Sequence, residues 1–252
     1  MHPISIVNES TPATRSSVLV DYGESAFAGF YSIHLVVLKS FLIISAIVRL
    51  EISVTGEESI KAIGIDLAGV ASRPTGICVM DGYLHASTSL VYTDDNIVWR
   101  TIEAKADVVA IDAPLALPRG RESLTKRNNI HLRECDRELL RMGIKFFPLT
   151  LGPMRQLTER GILLKAILEG KGLRVIETYP GAAQDILHIP RKRWGLDKLS
   201  EGLSLAGIKG VSNAMSSHEL DAVTCALVGI MYLRGKHRTI GDPHEIVMIL
   251  PQ

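Results

Sequence analysis

Residues 61–91 read KAIGIDLAGVASRPTGICVMDGYLHASTSLV, and this stretch decides the fold. Its first six residues, ending in Asp66, read as a short strand, and residues 75–80 read as a second. Asp81-Gly82 then offers the two positive-φ positions of a type I′ hairpin turn. Residues 83–91 alternate and are β-rich, which predicts a third strand.

Working outward, residues 94–105 predict a short helix. Residues 107–112, DVVAID, form a near-continuous apolar run of the kind a buried parallel strand needs, and Pro114 stops it. A helix is expected over 131–142, where Leu132, Cys135, Leu139 and Met142 recur at helical spacing and Gly143 supplies a stop. A second helix is expected over 154–169, closed by Gly170 and Gly172, and a strand over 173–177. The last helix is expected over 217–233, opened by Ser216 and Glu219 as a capping box, with a final strand over 246–250. Three strands with a hairpin, followed by alternating helix and strand, give an α/β class with a mixed sheet flanked by helices. There is no internal repeat.

The charge balance limits the function. With 28 basic against 27 acidic residues the formal charge is +1, so a basic coat over the whole molecule is excluded and any anion-binding patch must be local. Aromatic residues make up 5%, too few for an extended array of base-stacking platforms. Cys78, Cys135 and Cys225 lie far apart with no C-x-x-C, which points to a reducing, cytoplasmic setting.

Residues 1–60 differ from the rest and are read as an N-terminal extension, with the domain at 61–252. Residues 25–48 carry Lys39 as their only formal charge and are long enough to span a bilayer, which needs about 20 apolar residues. Lys39 opposes insertion by roughly 2–3 kcal/mol at a central position. A membrane anchor through residues 25–48, a packed extension and a misassigned start are the three readings. The third requires a non-Met codon near Val48 or Val54, since the next methionine is Met80.

Four acids stand where a purely structural acid is expensive. Asp66, Asp112 and Glu177 end three strands, and Asp221 lies early in the last helix. Carboxyl ends of strands are where open α/β sheets bind ligands. Like charges gathered there need a proton or a divalent cation, and an all-oxygen donor set suits Mg²⁺ or Mn²⁺. Any one of the four alone reads equally as a turn residue or helix cap. Nearby, residues 119–145 hold eight Lys/Arg against four Asp/Glu. Arg133, Arg137 and Arg141, four apart, read as one helix face that can hold phosphates, or as a solvated face paired with Glu134 and Glu138. Arg191-Lys192-Arg193 is a second basic cluster. Gly64 and Gly69 are not followed by Lys-Ser/Thr, so there is no P-loop, and His218-Glu219 lacks the second histidine of a zinc protease. No G-x-S-x-G elbow occurs. Of the histidines, His218 stands out, one turn before Asp221.

Taken together, IDLAG at 65–69, AIDAPL at 110–115, RECD at 133–136, GIKFFP at 143–148, IETYP at 176–180, HELDA at 218–222 and GDPHE at 241–245 resemble the family known as domain of unknown function 429. The resemblance covers residues 61–252. That family is placed in the ribonuclease H-like superfamily. The resemblance therefore implies a sheet whose first three strands are antiparallel and whose next two are parallel. It also implies a metal-dependent nuclease acting on DNA or RNA, with Asp66, Asp112, Glu177 and Asp221 as metal ligands. Arg133, Arg137 and Lys192 are expected to hold phosphates. Two other functions remain open at this point. One is an actin-like phosphotransferase with phosphates facing Asp66, Gly69 and Thr75-Gly76. The other is a non-catalytic interaction module in which the acids are structural.

Overall fold

The computed structural model describes residues 60–252, so the N-terminal extension and its candidate membrane segment lie outside the described residues. Among the described residues, no helix is long and apolar enough to cross a membrane.

The strands are β1 (Lys61–Asp66), β2 (Thr75–Asp81), β3 (Ala86–Val91), β4 (Val108–Asp112), β5 (Val175–Thr178), β6 (His237–Asp242) and β7 (Ile246–Pro251). They form one sheet in the order β3-β2-β1-β4-β5-β7-β6. β1, β2 and β3 pair antiparallel, whereas β4 joins β1, and β5 joins β4, in parallel. β7 meets β5 in parallel at Glu177 and Met248, and β6 closes the edge antiparallel. This is the mixed sheet expected from the sequence.

The helices are α1 (Asp94–Ala104), α2 (Glu134–Arg141), α3 (Gly152–Gly170), α4 (Pro180–Ile186), α5 (Leu196–Leu205) and α6 (Ser217–Leu233). Side chains alternate across each strand, so the central strands β1, β2 and β4 feed two cores. Ala62, Cys78, Val108, Ala110 and Ile176 pack against α6. Ile63, Ile65, Ile77, Val109 and Ile111 pack on the other face with Ile97 of α1 and with Leu164 and Leu168 of α3. Every residue of α6 from Leu220 to Ile230 is buried. A helix apolar on all sides belongs in a core, and Asp221 is the only charged residue in that run.

Two glycines let α6 lie directly on the sheet. A Cβ on Gly64 would stand 2.0 Å from the Ala222 carbonyl oxygen, and one on Gly76 would stand 2.1 Å from that of His218. Backbone thus meets backbone beside Asp66.

The hairpin differs from expectation. Neither Asp81 nor Gly82 has positive φ; Leu84 does, at 61°. Leu84 N donates to the Asp81 carbonyl at 3.0 Å. The Asp81 carboxylate accepts from the backbone N of Tyr83 and of His85, both at 2.9 Å. A turn braced by its own aspartate replaces the two-residue turn, and β3 begins at Ala86. α2 begins later than expected because Arg133 is its N-cap, with its side chain turned inward.

Candidate active site

Asp66 ends β1 and Asp112 ends β4, and the parallel register sets them side by side. Both follow the small residues that face α6, so their carboxylates lie on that side of the sheet. Asp221, in the second turn of α6, lies on the same side. The capping box expected at Ser216 and Glu219 starts this helix, with Ser216 N donating to Glu219 Oε2 at 2.9 Å.

Two of the three aspartates, Asp66 and Asp221, have fixed side-chain partners. His218 Nδ1 donates to Asp66 Oδ2 at 2.6 Å. Lys192 Nζ donates to Asp221 Oδ2 at 2.7 Å, and Gln184 Nε2 donates to Asp221 Oδ1 at 2.9 Å. Gln184 is buried, and the same amide also donates to Thr224 Oγ1 at 3.1 Å. Burial pushes the Asp66 carboxyl above the ordinary carboxylate range; the His218 bond opposes this, and Asp221 adds to it. Burial raises Asp112 well above that range, with the charges of Asp66 and Asp221 adding to the shift. The bond to Asp66 holds His218 above the usual imidazole range. Burial works against the Lys192 charge, but Asp221, Asp66 and Asp112 outweigh it and raise its pKa.

Glu177 departs from the expected cluster. It is level with Ile111, not with Asp112, so it emerges on the opposite face of the sheet. There Arg133 Nη1 donates to Glu177 Oε2 at 2.7 Å, and Leu115 N donates to the same oxygen at 2.7 Å. Arg133 also meets Asp136, through Nε at 3.1 Å and Nη2 at 2.9 Å. Burial raises Glu177, while the Arg133 charge pulls it down.

The phosphate-binding role expected of Arg133 does not match its surroundings. Its side chain is 2% exposed and its donors are engaged by carboxylates. Arg133, Arg137 and Arg141 therefore do not form one exposed face. Arg137 and Arg141 are exposed and share Glu134, at 3.1 and 2.7 Å. Lys192, expected on phosphates, rests on Asp221.

A cavity of about 300 Å³ opens beside the aspartates, reaching from Asp112, Asp221 and Lys192 to Phe146, Phe147 and Met154. The segment between β4 and α2 that borders it is closed by buried Arg121, whose Nη1 donates to the Ile130 carbonyl at 2.7 Å. Arg160 of α3 fastens the loop after Asp66. It donates to the carbonyls of Ala68 at 2.6 Å and Tyr92 at 2.8 Å, and to Asp94 Oδ1 at 2.8 Å. Gln184 and Asp136 carried no functional reading in the sequence. Asp136 had a usable signal, its i, i+3 spacing from Arg133; Gln184 had none.

The space expected to face phosphates across the first hairpin is filled. Thr75 is fully buried, and its Oγ1 accepts from Ala68 N at 3.1 Å. Gly76 lies under the first turn of α6.

Among the described residues, no three His, Cys, Asp or Glu side chains stand arranged as a ready metal shell. No protein-family model matches the chain, and no curated protein does. Among solved structures, it is similar to T. thermophilus RuvC in complex with Holliday junction substrate. That match has 14% identity and a TM-score of 0.44, and covers 70% of this chain and 97% of that one. A second Thermus thermophilus RuvC structure matches at 16% identity and a TM-score of 0.39, over the same shares.

Proposed function

We propose that this protein is a metal-dependent nuclease that hydrolyses phosphodiester bonds at Asp66, Asp112 and Asp221. One observation carries the reading: Asp66 at the end of β1, Asp112 beside it at the end of β4 and Asp221 in the second turn of α6 lie on one side of the sheet, and the Asp221 charge raises the proton affinity of the other two. Such clusters mark sites of chemistry more often than of structure. The resemblance to domain of unknown function 429 points the same way.

The donor set suits Mg²⁺ or Mn²⁺, since every donor is a carboxylate oxygen and the net charge calls for a cation. Lys192 holds part of that place on Asp221, so a metal would be received as this ammonium moves off. A bound divalent ion would supply a water nucleophile at neutral pH and stabilise charge on the phosphate oxygens. The protein's own groups do the rest. His218 fixes the orientation of Asp66, and Gln184 fixes that of Asp221. Lys192, once released, offers an ammonium to a phosphate oxygen, and Arg137 offers a contact farther along the chain. Glu177, tied to Arg133 and Leu115, shapes the wall and stays outside the ligand set. In the reaction a water oxygen adds to phosphorus and gives up a proton to solvent, one P–O ester bond breaks, and the departing alkoxide takes a proton back from solvent.

The test is Mn²⁺-dependent cleavage by the full chain, wild type beside Asp66→Asn. The panel is single-stranded DNA, single-stranded RNA, an RNA–DNA hybrid and a branched junction. Cleavage that disappears in the variant supports the reading and names the substrate; cleavage of none, or cleavage that persists in Asp66→Asn, overturns it.

A further inference from the structure

The cavity beside the aspartates has two unlike ends. One holds Asp112, Asp221 and the Lys192 ammonium. The walls are apolar, with Leu149, Met154, Leu157 and Met248 among them, and the aromatic rings of Phe146 and Phe147 border it. Phe147 is 72% exposed, so this chain leaves most of a phenyl ring in water at the edge of an apolar chamber. At about 300 Å³ the chamber is at the small end of ligand pockets. That is room for one nucleoside and not for a base pair.

From this we infer that the cavity takes a single unstacked nucleoside, with its base against Phe147 and its phosphate toward Lys192. The flat body of a base matches the apolar walls, and Lys192 and Arg191, which both line the cavity, give its phosphate the positive charge that Asp112 and Asp221 do not. Polar groups on the walls are engaged within the protein, Glu177 by Arg133 and Leu115 and Gln184 by Asp221 and Thr224, so recognition rests on the π-face that every base carries. For a nucleic-acid chain the consequence is a substrate that is single-stranded, or that turns one base out of the helix beside the cleaved bond. A base held inside an intact duplex cannot enter such a pocket. The link from pocket to cleaved bond rests on the nuclease reading; nucleoside binding does not.

The experiment is calorimetric titration of the full chain with adenosine and thymidine 5′-monophosphates against ribose 5-phosphate. A second arm compares a short single strand with the same strand carrying one abasic residue, which separates a free nucleotide from a nucleotide within a chain. The expected result is nucleoside monophosphate binding at least tenfold tighter than ribose 5-phosphate, in line with stacking on one aromatic ring. Weaker binding of the abasic strand is expected too. Phe147→Ala should erase most of the preference and Phe147→Trp should keep it; an exposed ring can be exchanged without unfolding the protein. Equal binding of nucleotide and sugar phosphate, or no binding of either, overturns the pocket. So does a preference that Phe147→Ala leaves intact. If base preference stands while no substrate in the cleavage panel is cut, the nuclease reading fails and the nucleoside pocket survives. If cleavage depends on Asp66 but base preference is absent, the reverse holds.

Discussion

Arg133 and Glu177 form an ion pair sealed from water, 2.7 Å from Nη1 to Oε2, with 2% and 1% of the two side chains exposed. Removing one partner of such a pair strands a buried charge. Arg133→Met should therefore destabilise the fold by about 3–5 kcal/mol, read from urea unfolding. Glu177→Gln should cost less, because Arg133 keeps Asp136. Mn²⁺ binding by Glu177→Gln should match wild type, since Glu177 lies outside the proposed ligand set; a large loss would return it to that set.

Asp112→Asn should separate stability from chemistry. The Asp112 carboxyl is held well above its unfolded value by burial and by Asp66 and Asp221. The folded chain thus grips this proton more tightly than the unfolded chain. The resulting penalty is absent below about pH 4, grows as pH rises toward the folded pKa, and is complete above it. In the metal-free chain at pH 7 the variant should be more stable than wild type by about 0.5–2 kcal/mol, and the gain should fade on acidification. Cleavage should be lost. Thermal unfolding with EDTA over a pH series, beside the cleavage assay, checks both halves.

Lys192→Met should tighten Mn²⁺ binding several-fold. The ammonium now rests on Asp221 and faces Asp66 and Asp112, so a metal competes with it. Manganese titration followed by electron paramagnetic resonance measures the change. Equal affinity in both proteins would mean that Lys192 does not compete for the carboxylates.

His218 gives a pH signature of the same slope in a higher window, this time as a stabilisation that is lost. Its folded pKa is raised, first by the bond to Asp66. Its stabilising effect is complete below about pH 6.5 and is lost as pH rises through the folded value. Urea midpoints of wild type and of His218→Ala, without metal, should differ most near pH 6 and converge at alkaline pH. A gap that widens with pH would show that His218 acts through packing instead.

The placement of three of the candidate acids is legible in the sequence. Asp66 and Asp112 close apolar runs that read as strands, Asp221 opens the apolar run of α6, and the Ser216–Glu219 box marks where that helix begins. Glu177 was misread for a physical reason. It closes its apolar run in the sequence as Asp112 does, but β5 continues to Thr178, which is the residue level with Asp112, and one residue of offset turns a side chain to the other face. Register is not written in a single strand. Arg133 was misread because a helical spacing of arginines carries no sign of burial; the carboxylates that draw it inward come from 44 residues away as well as from the next turn. β6 escaped because it is an edge strand with one buried side chain, Ile240, and so no apolar alternation. α4 is not among the expected helices: at seven residues it is too short for a helical period to show, and Pro180, straight after β5, is its first residue.

Gly64 and Gly76 have a bearing on how mutational data for this protein should be interpreted. Neither holds a chemical group, yet any side chain there would lift α6 from the sheet and carry Asp221 and His218 away from Asp66. A substitution scan scored on activity alone would rank positions 64 and 76 beside the aspartates and suggest two more members of the reaction centre. Scored on folding as well, the two classes part: the glycines fail both screens, while the aspartate-to-asparagine changes fail only the first.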